Sequence, residues 1–191
     1  MDVETATASA VPALLEAGLY RPSALAADRT LLPAQHGIYS WWSDAESGLD
    51  LPGQPHPAAA ELKLLYVGIA GKPSSSLRQR ILTHIAKTSR RSTLRLSLAS
   101  LLAPTLGWTA AVVSGRAALD PEFEPALNDW MDEHLRVSWL THDAPGCIEH
   151  AVIAQLGPPL NLDGNSAHPQ YAAVRSARAA FRADADFTGG P

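Results

Sequence analysis

The chain has a single cysteine, Cys147, in 191 residues. An internal disulfide is therefore excluded, and the reducing cytoplasm is the expected compartment. No apolar run approaches the roughly 20 residues of a membrane span. The N-terminus, Met1-Asp2-Val3-Glu4, has neither the positive start nor the apolar core of a signal peptide. There is no Gly-rich phosphate loop and no internal repeat, and His134, His142 and His150 follow no metal-ligand spacing. Cys147 and His150 are too close in sequence, and carry too little motif, for a thiol nucleophile pair. The most informative lack is of acid: from Leu62 to Leu119 there is no Asp or Glu.

That stretch holds Lys63, Lys72, Arg78, Arg80, Lys87, Arg90, Arg91, Arg95 and Arg116. It carries +9 and the remainder of the chain −13, for a net −4. Charge segregated in this way is the footprint of a polyanion site, or else of a basic face neutralised by acids folded onto it. Length and composition fit one globular domain with modest extensions. The expected division is an N-terminal extension over 1–35, a central domain over 36–165, and a C-terminal helix with a disordered tail over 166–191.

Periodicity places the elements. A helix is expected over about Val11–Gly18, after a frayed Ala-rich start. His36–Trp42 alternates as a strand with Gly37, Tyr39 and Trp41 on one face. Residues 43–61 read as a long polar loop. Leu62–Ile69 reads as a second strand, with Leu62, Leu64, Tyr66 and Gly68 sharing a face. Ser76 caps a helix to about Thr88, with Leu77, Ile81 and Ile85 inward and Arg80, His84 and Lys87 at the boundary with solvent. Ser92 caps a further helix to about Leu102. A short extra strand over Trp108–Ser114, a helix ending near His134, and a strand over Leu135–Thr141 follow. Pro145 opens a helix to Leu156, and Pro169 opens a last helix to about Phe181, with Arg175, Arg178 and Arg182 on one stripe.

Glu149 breaks its pattern. It falls within the apolar arc set by Ile148, Val152 and Leu156. A carboxylate aimed inward costs several kcal/mol unless it is paired or bound to a cation. A structural ion pair with an arginine and a metal site both satisfy that demand.

Gly37-Ile38-Tyr39, Tyr66-Val67-Gly68, the run Leu77-Arg78-Gln79-Arg80-Ile81 with His84 one turn on, Glu149 on a late helix and Asn161 beyond it resemble, in that order, the GIY-YIG nuclease family. The resemblance implies an α+β fold: a small three-stranded antiparallel sheet flanked by helices. Here it would carry an inserted loop between strands one and two and an extra helix before strand three. It implies a metal-dependent endonuclease acting on DNA. Tyr39 or Tyr66 would deprotonate or orient water, and Arg80 would stabilise the scissile phosphate. His84 would assist proton transfer or phosphate binding, Asn161 would orient the cleft, and Glu149 would hold Mg2+ or Mn2+. Lys72, Arg78, Lys87, Arg90, Arg91 and Arg95 would form the phosphate-tracking surface. A nucleic-acid-binding domain on the same fold, without catalysis, is the alternative. Three departures stand out: Tyr39 and Tyr66 are 27 residues apart, about 106–135 is an insertion, and Arg91 or Ser92 stands where the family has a further His or Tyr. With no separate recognition module in sight, specificity would come from the insertions or a protein partner.

Overall fold

A computed structural model describes residues 2–188. In chain order the elements are α1 (Val3–Leu15), α2 (Pro22–Ala27), β1 (Gly37–Ser43), β2 (Pro55–His56), β3 (Ala59–Ala70), α3 (Leu77–Ala86), α4 (Thr93–Leu106), β4 (Ala110–Val113), β5 (Arg116–Leu119), α5 (Glu124–His134), β6 (Leu135–Thr141), α6 (Glu149–Leu156) and α7 (Tyr171–Thr188). The principal sheet is antiparallel and has four strands, in the order β2-β3-β1-β6, rather than the expected three. The additional strand comes from the insert read as loop. Pro55 has no N–H to give, so it is confined to an edge, and β2 is that edge. No described helix is long and apolar enough to cross a membrane.

The alternation of β1 gives the sheet two apolar faces. Tyr39 and Trp41 point to one, with Leu135 and Val137 of β6, against helices α3, α4 and α5. Ile38 and Trp42 point to the other, under α1 and α6. There Ser40 and Ser138, opposite each other in the ladder, share a 2.7 Å hydroxyl bond and both accept from the Trp42 indole N–H.

Strand β3 departs from simple alternation. Its register with β1 shifts between Trp41 and Trp42, so Leu65 has no partner opposite it. This bulge places Leu65 and Tyr66 together on the α3 face, while Leu62, Leu64 and Val67 face α6. Leu64 and Tyr66 therefore do not share a face, contrary to the period-2 expectation, and the bulge is what turns Tyr66 toward Tyr39.

The Ala-rich N-terminus is helical from Val3 rather than frayed. Asp2 caps it by accepting from Thr5 N at 2.8 Å, and Thr7, Ala10, Val11, Leu14 and Leu15 lie buried on the sheet. The expected strand at 108–114 is present as β4, but it is one arm of a hairpin with β5. Helix α7 continues past Ala183, the expected start of a disordered tail, to Thr188, and Ala185 is buried. Residues 189–191 of that expected tail lie outside the described residues.

One buried ion pair ties the basic stretch to the rest. Arg95, 1% exposed, donates to Glu124 Oε2 at 2.6 Å and to the carbonyl of His84 at the end of α3. The other Glu124 oxygen accepts from Ser89 N and Ser89 Oγ, and Ser89 Oγ accepts from Leu119 N of β5. Arg95 thus joins α3, α4, α5 and the hairpin. Its expected place on a phosphate-tracking surface is corrected, because the guanidinium is inside. Breaking a buried pair strands a charge, at a cost of about 3–5 kcal/mol. Glu124→Ala is expected to lower the unfolding free energy by about that amount in urea denaturation. A midpoint equal to wild type would remove the pair from the determinants of the fold.

Candidate active site

The two glycines of the paired triplets are required by close approach. Gly68 lies opposite Tyr39 in the ladder, and a Cβ there would collide with the Tyr39 phenol. A Cβ on Gly37 would run into the backbone of Leu140 and the side chain of Leu77. With Gly68 bare, the Tyr39 ring lies across β3, 6.4 Å between centroids from Tyr66.

Helix α3 completes this cluster. Ser76 and Gln79 form a capping box that fixes its start, and one turn separates Arg80 from His84. His84 is buried. Its Nε2 is 2.7 Å from the Tyr39 hydroxyl, and its Nδ1 is 2.7 Å from Ser92 Oγ. Ser92 also caps α4 by accepting from Arg95 N. The expected position of His84 at the solvent boundary is therefore corrected: the imidazole is buried behind Tyr39. Ser92 is its second partner.

Burial sets the charge states. It pushes His84 down to about 3, with Arg80 and Arg95 adding to the effect, so the ring is neutral. A neutral imidazole donates from one nitrogen and accepts at the other, so Tyr39 and Ser92 take opposite roles. Burial also raises the Tyr39 hydroxyl far above its ordinary value. Tyr66 adds to that rise, and the Arg80 guanidinium opposes it. Tyr66 is raised for the same first cause and is opposed by Arg80 and Arg178. Arg80 thus favours the charged form of both tyrosines, but burial outweighs it.

Glu149 is the first residue of α6. The segment from Pro145 to Cys147 is a 3-10 turn rather than the opening of the helix. Glu149 therefore sits in the first turn of α6, half-buried and lining a cleft. Glu149 is partly buried, which raises its carboxyl pKa, while His150 and Arg80 counter the rise. Among the described residues the ion pairs are Arg95–Glu124 and those of His134 with Asp44 and Glu133, and Glu149 has none. The ion-pair explanation of Glu149 is thus not the one the fold uses.

Glu149 lines a cleft of about 300 Å³ with Tyr66, Thr93, Asn161, Asp163 and Arg178. Asn161 holds its wall in place. Its Oδ1 accepts from Val67 N at 2.9 Å and its Nδ2 donates to Val67 O at 2.8 Å, while Leu160 N bonds Leu65 O. The loop therefore pairs with the open edge of β3 as a strand would. Tyr39 and His84 stand behind the cleft, and Arg80 acts electrostatically on Tyr39, Tyr66 and Glu149. Of the other expected cations, Lys72 and Lys87 are exposed, Arg78 donates to Leu32 O, and Arg90 and Arg91 line a separate groove.

Arg178 carried no expected role. It is buried, bonded to Ser97 Oγ and Leu160 O, and lines the cleft from α7. The signal was the one that marked Glu149. Arg178 occupies a place in the stripe Val174, Phe181 and Ala185, where an apolar residue belongs. Asp163 lies in an irregular segment and had no comparable signal.

Among the described residues, no three His, Cys, Asp or Glu side chains cluster as a metal cage. Mg2+ keeps several waters and takes one or two carboxylates plus phosphate oxygens, and Glu149 with Asp163 nearby is such a donor set.

An antiparallel sheet presenting two tyrosines, with an arginine near them and a carboxylate lining the adjoining polar cleft, defines a small α+β domain. The family model for the GIY-YIG catalytic domain matches residues 37–180, and the chain belongs to this nuclease family. The matched span reaches into α7 and includes Arg178. No curated protein and no solved structure matches the chain.

The neutral His84 makes stability depend on pH. The unfolded chain binds a proton near the ordinary value of 6.5 that the folded chain refuses until about 3. The stability is fully present above 6.5 and is lost as pH falls through 6.5 toward 3, at about 1.4 kcal/mol per pH unit. Thermal melting of wild type against His84→Gln should show the variant losing this part of its acid sensitivity. Parallel curves between about pH 6 and 4 would contradict a buried neutral His84.

Proposed function

We propose that the chain is an endonuclease that hydrolyses DNA phosphodiester bonds in the Glu149 cleft, with a divalent cation, Mg2+ or Mn2+, held by Glu149. Glu149 is the observation that carries this reading. It is a partly buried carboxylate without an ion pair among the described residues, and it lines a cleft with Tyr66 and Arg178 in a chain of the nuclease family. A binding module facing phosphates has no need for that acid.

A phosphodiester is anionic and a poor electrophile, so its hydrolysis needs a placed water and neutralised charge. Bound at Glu149, the cation would supply Lewis acidity and charge for the phosphate. Arg80 and Arg178, acting on the cleft from α3 and α7, balance charge on the phosphoryl oxygens. Tyr66, which lines the cleft and is partly exposed, is the tyrosine able to touch and orient water. Tyr39, fully buried and bonded to His84, is a positioning residue that sets the sheet and Arg80 beneath the site. Asn161 positions the cleft wall.

Plasmid nicking in Mg2+ or Mn2+ tests the reading. Wild type should relax supercoiled DNA, and Glu149→Ala and Arg80→Ala should each slow nicking by about 100-fold or more. Equal rates in all three would place the chemistry elsewhere. DNA binding without cleavage under every metal and salt would leave a binding domain on the nuclease fold. A third variant isolates the clamp. Asn161→Ala strands the Val67 N–H and C=O, and should cost about 2 kcal/mol or more in stability as well as nicking rate.

A further inference from the structure

We propose that a second groove, adjoining the cleft at Thr93, is the track along which the nucleic-acid backbone leaves the site. The inference rests on the nuclease reading and extends it to where the flanking phosphates lie. The groove, about 500 Å³, is lined by Ser89, Arg90, Arg91, Ser92, Thr93 and Arg116. Thr93, the first residue of α4, also lines the Glu149 cleft, so the two depressions share a wall.

Three features make the groove suited to a phosphate backbone. Its arginines come from two segments distant in sequence. Arg90 and Arg91 lie in the 3-10 turn between α3 and α4, and Arg116 opens β5. The turn and the hairpin are held together by the Leu119 N bond to Ser89 Oγ, and Ser89 is held in turn by Glu124. Among the described residues, the groove also has no carboxylate in its lining. Glu124, the acid that reaches Ser89, is buried and neutralised by Arg95. Finally, Arg90 is pre-set: its Nε donates to Val113 O of β4 at 3.0 Å, which fixes the guanidinium while leaving its Nη groups for a ligand. Arg91 and Arg116 are exposed and make no ion pair among the described residues.

The β4–β5 hairpin belongs to the insertion before β6, so on this reading the insertion lengthens the substrate footprint beyond the cleft. Phosphate contacts position a duplex without reading its sequence. The groove therefore fixes direction and register rather than base identity.

The test is equilibrium binding of a labelled DNA duplex to the full chain in EDTA, across salt, for wild type, Arg91→Ala/Arg116→Ala and Arg116→Lys. Each lost phosphate contact should flatten the slope of log affinity against log salt by about 0.9. From about 50 to about 200 mM salt, the double variant should therefore lose roughly ten-fold less affinity than wild type. Arg116→Lys, which keeps the charge, should retain the wild-type slope. Both positions are exposed, and matching melting temperatures would confirm that the variants fold. A double variant with the wild-type slope and affinity overturns the proposal, even if wild type nicks plasmid. Arginine-dependent saturation by inorganic phosphate with an unchanged duplex slope also overturns it, and would mark a free-anion site. Slope loss in the double variant, with a wild type that never cleaves, would support the groove while removing the nuclease reading.

Discussion

The contact on which the site depends is Tyr39 lying over bare Gly68 and reaching His84. A side chain on Gly68 would displace the phenol, and without the phenol His84 would lose the partner at its Nε2. His84 Nδ1 engages Ser92, which caps α4, and the His84 carbonyl accepts from Arg95. One chain of contacts thus runs from the central strands through α3 to α4 and α5. It explains why a glycine in one strand must match a tyrosine in the other. It also explains why the histidine of α3 is buried and neutral.

Behind that rigid floor, the polar groups are sorted by burial. Arg95 and Glu124 neutralise each other inside, whereas Glu149 has no such partner and faces a cleft. Arg80 is not drawn into an ion pair with it. The guanidinium instead spreads its field over two tyrosines and the acid. An arrangement of this kind leaves both a cationic and an anionic group available to an incoming phosphate and its counter-ion. A closed Arg80–Glu149 pair would leave neither.

Much of the succession of strands and helices was legible in the sequence because it rests on local rules. Alternation in β1 and β6, the Ser76 and Ser92 caps, and the out-of-place Glu149 all follow from period and propensity. The misses have non-local causes. The bulge at Leu65 depends on the register against β1, so alternation alone put Leu64 and Tyr66 on one face. The acid-free run put Arg95 on a phosphate-tracking surface, but Glu124, just beyond the run, folds back onto it, the alternative that the segregated charge had left open. Residues 43–61 looked like loop because they are polar and punctuated by Gly48, Pro52, Gly53, Pro55 and Pro57, yet an edge strand tolerates a proline. Arg178 was visible as part of a basic stripe, and only its place among Val174, Phe181 and Ala185 reveals that it is buried.

The central claim is that Glu149 holds a divalent cation in a cleft shaped for a phosphodiester. Equilibrium binding of Mn2+, followed by electron paramagnetic resonance with and without a DNA duplex at low temperature, tests it most directly. The expected result is a single ion per chain, bound more tightly with DNA present and lost in Glu149→Gln. Mn2+ binding that is absent with DNA, or that persists unchanged in Glu149→Gln, would contradict it.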